Sequence, residues 1–165
     1  MMEFNLFSIS KEGYFSSKYR IENEGDLIYT VKKKNIFLSR YGFYDALGNE
    51  VLTLRRRSSL FKIKYELTKS DFHKAYIEQT KGAFKNNFIV DSPTRYYFVE
   101  GNFSLKSFTV IEDDREIAKI SRRPFKKKNR YGIAMTLDAE TDLILATAIA
   151  IEITRKIKQR RKSAG

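Results

Sequence analysis

From Leu143 to Ile153 the sequence reads LILATAIAIEI, and only Thr147 and Glu152 interrupt its 11 residues of apolar side chains. A bilayer span needs about 20 such residues, so the stretch does not cross a membrane. Leu143, Ile144, Leu145, Ala146, Ala148, Ile149, Ala150 and Ile151 nevertheless cover every side of a helix. A helix lying on a protein surface keeps one polar side; one without it must be enclosed by protein all round. The ends are well signalled. Asp138 or Thr141 can cap the start, with Glu140 and Asp142 at the positive end of the dipole, and Arg155, Lys156 and Lys158 suit the negative end. The pattern predicts a helix over about 139–157 followed by a basic, disordered tail at 159–165.

What encloses it must come from upstream, where the chain alternates Tyr, Phe, Ile, Val and Thr with polar residues in short runs. The clearest hairpins are KYRIENEGDLIYTVKKK (18–34), RYGFYDALGNEVLTLRRR (40–57) and KSFTVIEDDREIAKISRR (106–123). They are copies of one unit. Gly25–Val31 overlays Gly48–Leu54 at an offset of 23, and ALGNEVLTLRRR overlays EDDREIAKISRR at an offset of 66, close to three such periods. KIKYELTKSDFHKAYIEQTKG and FKNNFIVDSPTRYYFVEGN fit two weaker copies, with Pro93 in a turn. Strands near Phe4–Ser10 and Arg130–Leu137 bring the number to twelve. A meander of that length removes its edges by closing on itself. The expected fold is mainly β: a twelve-stranded closed antiparallel barrel, residues 1–158 as a single domain, around a central hydrophobic C-terminal helix.

Several segments carry a family resemblance: FYDALGNEVLTLRRR, YYFVEGNFSLKSFTVIEDDREIAKISRR, the strand RYGIAMTL, and DLILATAIAIEI. In this order and spacing, from about Tyr14 to Lys158, the chain resembles the tubby C-terminal-like superfamily. Within it the chain is most similar to LURP-one-related proteins, and distantly to phospholipid scramblases. The resemblance implies the same barrel around a hydrophobic helix.

The residues give no support to catalysis. The one histidine, His73 in SDFHKAY, has no nucleophile or acid pair placed around it and reads as a surface residue at a hairpin turn. No GxGxxG, P-loop or zinc spacing occurs, and no cofactor is expected. The absence of Cys excludes disulfides and thiolate metal sites. The first residues, MMEFNLFSISKEGYF, show no basic segment followed by an unbroken apolar run, so the expected location is cytoplasmic, to which the resemblance adds peripheral attachment to a membrane. Scramblase relatives carry an acidic segment before their terminal helix that is associated with calcium. Asp138, Glu140 and Asp142 are its nearest equivalents here, but an EF-hand-like spacing is missing and helix capping accounts for all three.

Charge is the stronger clue. The net charge of +12 is concentrated in KKK (32–34), RRR (55–57), RRPFKKKNR (122–130) and RKIKQRRK (155–162), and none of the four segments contains an acid. The first three each begin where the second strand of a hairpin ends. Second strands of a meander run in parallel, so Lys32, Lys33, Lys34, Arg55, Arg56, Arg57, Arg122, Arg123, Lys126, Lys127 and Lys128 should form one basic crown. Such a field attracts polyanions. The resemblance favours anionic phospholipid or a membrane surface, with Phe125 as an apolar contact; a nucleic-acid-binding barrel is the runner-up, in which exposed Tyr and Phe would stack on bases. Tyr96, Tyr97, Phe98 and Phe103 alternate as strand residues and read as core. A protein-interaction scaffold has no distinguishing mark.

Overall fold

A computed structural model describes residues 3–12, 18–34, 39–57, 62–70, 73–80, 86–102, 106–122 and 130–164. Among them the chain forms β1 (Phe4–Glu12), β2 (Lys18–Asn23), β3 (Asp26–Lys33), β4 (Arg40–Tyr44), β5 (Glu50–Arg56) and β6 (Lys64–Lys69). Then follow β7 (Lys74–Gln79), β8 (Phe88–Asp91), β9 (Tyr96–Asn102), β10 (Ser107–Glu112), β11 (Arg115–Ser121), β12 (Arg130–Thr136) and the helix α1 (Thr141–Ala164). Each strand pairs antiparallel with its neighbour in sequence, and β1 closes on β12 from Phe4↔Thr136 to Ser10↔Arg130. The expected twelve-stranded closed barrel is therefore the fold. Its two rims differ. Connections after even-numbered strands, including the tight turns at 24–25 and 113–114, lie at one end, the turn rim; connections after odd-numbered strands lie at the other, the mouth.

The repeat seen in the sequence has a structural counterpart. The β2–β3, β4–β5 and β10–β11 pairs each change register beside the turn, leaving Ile28, Val51 and Ile117 as the extra residue of the second strand. These three bulged positions are separated by the same 23 and 66 residues that relate the sequence copies. A bulge bends its strand and increases the local twist, and three of them at one end help a meander curl into a barrel. The turns are built to match: Glu24 and Gly25 have φ of 49° and 92°, and Asp113 and Asp114 have 49° and 61°, the left-handed pair that suits the twist of a two-residue hairpin.

Alternate residues of every strand point inward, among them Ile9, Ile21, Val31, Leu54, Leu67, Ile77, Val90, Val99, Val110, Ile120 and Ile133, all buried. They surround α1, whose residues from Leu143 to Thr154 are all buried. The two threonines inside this stretch are satisfied within the helix, Thr147 donating to the Leu143 carbonyl at 2.7 Å and Thr154 to that of Ala150 at 2.8 Å. The helix differs from the expectation at its end: it starts at Thr141 and continues to Ala164, so most of the segment read as a disordered tail is helical. Arg155–Lys162 consists of good helix formers with no Gly or Pro, and its cations face the negative end of the dipole. Twenty-four residues span about 36 Å, against roughly 23 Å for a seven-residue strand. The last turns thus project from the barrel, consistent with exposure of residues 159–162.

Packing is tight enough for a single glycine to matter. Gly101 lies directly opposite Phe108, whose ring covers it; a Cβ there would sit 1.9 Å from Phe108 Cδ1. Phe108 is itself buried and packs edge-on against Phe88 at 6.4 Å between centroids. Gly101→Ala is expected to destabilise the fold by about 1–3 kcal/mol through overpacking, read as a lower melting temperature. An unchanged melting temperature would mean that the Phe108 ring can move aside.

Candidate functional site: the basic mouth

β3, β5 and β11 all run from the turn rim to the mouth, so Lys32, Lys33, Lys34, Arg55, Arg56, Arg57 and Arg122 lie at or beside the mouth. Arg123, Phe125, Lys126, Lys127 and Lys128 fall outside the described residues. Strand parity divides the described cations into two sets. Arg56 follows buried Leu54 by two residues and takes the inward side of the mouth, where its charge acts on the Tyr41 and Tyr65 hydroxyls. Arg122 does the same beyond Ile120, with its guanidinium 5.5 Å from the Tyr131 ring centroid. Lys32, Lys34, Arg55 and Arg57 take the outer wall. There Lys32 Nζ lies 5.2 Å from the Tyr44 ring centroid, Lys34 Nζ reaches Glu50 at 2.8 Å, and Arg57 reaches Glu66 at 2.9 Å. The basic segments contain no acid, but β5 and β6 supply two, and Lys34 and Arg57 are partly neutralised.

Two contributors to the mouth escaped the sequence reading. Because β12 is an even-numbered strand, it delivers the chain to the turn rim, and α1 must run back through the barrel and emerge at the mouth. Arg155, Lys156, Lys158, Arg160, Arg161 and Lys162 therefore join the same rim. Arg40 is the second. It stands directly opposite Arg55 on the outer wall, and its buried Nε has no hydrogen-bond partner among the described residues. Like charges directly opposite destabilise a strand pair, and a buried donor without an acceptor costs about 1–3 kcal/mol. An anion bridging the two guanidinium groups would relieve both.

The helix is fastened where it leaves the barrel. Tyr19, Tyr41, Tyr65 and Tyr131, all buried, point inward from β2, β4, β6 and β12 near the mouth. Burial pushes all four phenols above their ordinary pKa, with the Glu152 carboxylate adding to the effect at Tyr19 and Tyr131. Tyr65 shares a 2.8 Å hydrogen bond with Thr154, and Tyr131 donates to Glu152. Glu152, buried on α1, also accepts from Arg155 Nε at 2.9 Å and Nη2 at 2.7 Å. Lys156 donates to the Tyr19 hydroxyl at 2.5 Å; burial and then nearby Lys11 push its pKa down to about 8.

At the turn rim the three acids considered for calcium go separate ways. Asp138 pairs with Arg115 at 2.6 Å, Glu140 with Lys69, and Asp142 accepts from the Tyr29 hydroxyl at 2.7 Å. They tie the start of α1 to three different parts of the wall, and Asp142 also stands in the first turn of the helix as expected. No group of three or more metal-ligating side chains gathers among the described residues. His73, exposed at this rim, lines a cleft of about 280 Å³ with Lys69, Lys74, Pro93, Thr94 and Glu140. The two lysines there are already paired, with Glu140 and Glu66. Of the aromatics read as core, Tyr97 is buried and Phe98 half-buried. Tyr96 is 55% exposed at the turn rim, which corrects that expectation, and Phe103 lies outside the described residues. No described helix is long and apolar enough to cross a membrane.

A closed twelve-stranded antiparallel barrel threaded by its C-terminal helix places the protein among tubby-like barrels. The chain belongs to the LURP-one-related family, which it matches over residues 5–153. A crystal structure of an Arabidopsis thaliana protein has the same fold, with a TM-score of 0.69 at 16% sequence identity over 92% of this chain and 91% of that one. No curated protein sequence matches the chain.

Proposed function

We propose that this chain is a non-enzymatic module that attaches peripherally to anionic membrane surfaces by binding phospholipid headgroups at the mouth of its barrel. The observation that carries the reading is the convergence of cations on one rim. Strand ends and the projecting end of α1 supply them together, while Glu24, Asp26, Asp45, Asp113 and Asp114 occupy the other rim. A barrel polarised in this way would approach an anionic surface mouth first. The opposed Arg40 and Arg55 offer a place for one phosphate. Nucleic acid is less well supported, because among the described residues the large exposed aromatic rings, Phe4 and Tyr96, lie at the far rim, away from a strand held at the mouth.

Flotation with neutral and anionic vesicles, beside a binding assay with single-stranded and duplex nucleic acid, tests this reading. Arg160→Gln/Arg161→Gln/Lys162→Gln is expected to keep the fold, since exposed charges add little stability. It should weaken vesicle binding by about 3 kcal/mol, on the order of a hundredfold, at about 1 kcal/mol per cation. Arg55→Gln/Arg56→Gln should act in the same direction, although the two segments are a hundred residues apart in sequence. Asp113→Asn/Asp114→Asn at the far rim should change little. Equal effects from both rims would reduce the observation to net charge, and binding to nucleic acid but not to vesicles would replace the lipid reading.

A further inference from the structure

The five large hydrophobic side chains that stay exposed among the described residues, Phe4, Leu6, Leu47, Tyr96 and Leu137, all lie toward the turn rim. Three of them are neighbours. Phe4 and Leu6 point outward from β1, opposite in parity to buried Phe7 and Ile9, at 48% and 56% exposure. Phe4 pairs with Thr136, and Leu137, 55% exposed, follows at the same rim one residue past the end of β12. The patch is flanked by acids. On the β11 side stand Asp113, Asp114 and Glu116, and on the β3 side Glu24 and Asp26, all exposed. Of these Glu116 pairs with Lys119 at 3.8 Å, the other four form no ion pair among the described residues, and the intervening Arg115 is held by Asp138 at 2.6 Å. In a chain of net charge +12, an apolar patch bordered by exposed carboxylates is set apart from the rest of the surface.

We propose that the outer wall around Phe4, Leu6 and Leu137 is a docking surface for a basic amphipathic helix of a partner protein. Charge complementarity selects the occupant. The flanking carboxylates repel an anionic membrane or nucleic acid and attract Lys and Arg, while the three apolar side chains require apolar partners, which a purely polar cation lacks. Geometry selects the helix. A closed barrel has no free strand edge, so a partner cannot add as a strand and must dock through side chains. Phe4 and Leu6, two residues apart on one strand, are about 7 Å apart, close to one helical turn of about 5.4 Å. Two apolar side chains one turn apart, flanked by cations, fit that spacing. The surface lies at the end away from the basic mouth, so the mouth stays free when it is filled.

Fluorescence anisotropy with three labelled synthetic peptides tests the assignment: a Lys/Leu amphipathic helix, a Gln/Leu helix with the same apolar face, and an oligolysine. The Lys/Leu peptide is expected to bind the intact chain at least tenfold more tightly than either of the others, and more weakly as salt rises. Leu6→Gln/Leu137→Gln and Asp113→Asn/Asp114→Asn should each weaken it at least tenfold. Arg160→Gln/Arg161→Gln/Lys162→Gln at the mouth should leave it unchanged. Binding that ignores Leu6 and Leu137, absence of binding, or equal binding of oligolysine would overturn the proposal. Concentration-dependent self-association abolished by the mouth variant would overturn it differently, by making the projecting helix of a second copy the occupant.

Discussion

Ala148→Asp is expected to yield no soluble, folded protein. Ala148 and Ile149 lie midway along the buried part of α1, at 5% and 0% exposure, and the barrel wall surrounds the helix with aliphatic and aromatic side chains. An aspartate there has no cation to meet and no water to keep. Its burial costs several kcal/mol whether it stays charged or takes up a proton, out of a total stability of about 5–15 kcal/mol. The barrel cannot discard the helix, because its inward-facing side chains would lose their only covering. Ala148→Ser, which can donate to the Ile144 carbonyl one turn back as Thr147 does to Leu143, should fold with a modest loss. Leu47→Asp at the 88% exposed turn position should be nearly silent. Expression, gel filtration and thermal melts read all three; an Ala148→Asp variant melting at the wild-type temperature would refute the enclosed helix.

The enclosed helix was legible because its message is negative: a sequence apolar on all sides yet too short for a bilayer has few places to go. The barrel was legible for a related reason, since repeated hairpins carry their period in the turn and bulge residues, and Ile28, Val51 and Ile117 keep the spacing of the copies. The parallel course of β3, β5 and β11 then put their cationic ends on one rim. What could not be read were relations across strands. Glu50 and Glu66 partly neutralise Lys34 and Arg57 from other strands, and Arg40 meets Arg55 only through register. Arg40 is also a single cation in the sequence and gives no cluster signal. The direction of the helix, by contrast, was within reach: an even number of strands returns the chain to the rim where β1 began, so α1 had to emerge among the cations. The helix end was missed because charge was taken as a sign of disorder, where residues of high helix propensity continue a helix that is already nucleated by its buried turns.

Arg155→Met should be the most damaging change to a polar side chain at the mouth. Glu152 is 4% exposed, and among the described residues two of its three hydrogen bonds come from the Arg155 guanidinium and the third from Tyr131. Removing one member of a buried ion pair costs about 3–5 kcal/mol, which for a chain of this size lowers the melting temperature by roughly 6–20 °C. The double variant Glu152→Leu/Arg155→Met should recover most of the loss, because the expense lies in the stranded charge and apolar replacements of similar volume pack the same space. The pH dependence has a definite sign. In the native protein burial raises the Glu152 pKa, but Arg155 and Tyr131 more than offset it, so the carboxyl stays below its ordinary value. Its contribution to stability is therefore present above that value and lost as pH falls through the folded one. Without the guanidinium, burial prevails and the folded pKa rises above that of the unfolded chain, so the variant is penalised when the carboxylate ionises and relieved in acid. The gap in melting temperature between native protein and Arg155→Met should thus be widest at neutral pH and narrow near pH 4, about the ordinary glutamate value. A gap that stays constant with pH would show that Arg155 contributes packing alone and that Glu152 is not the group it holds in place.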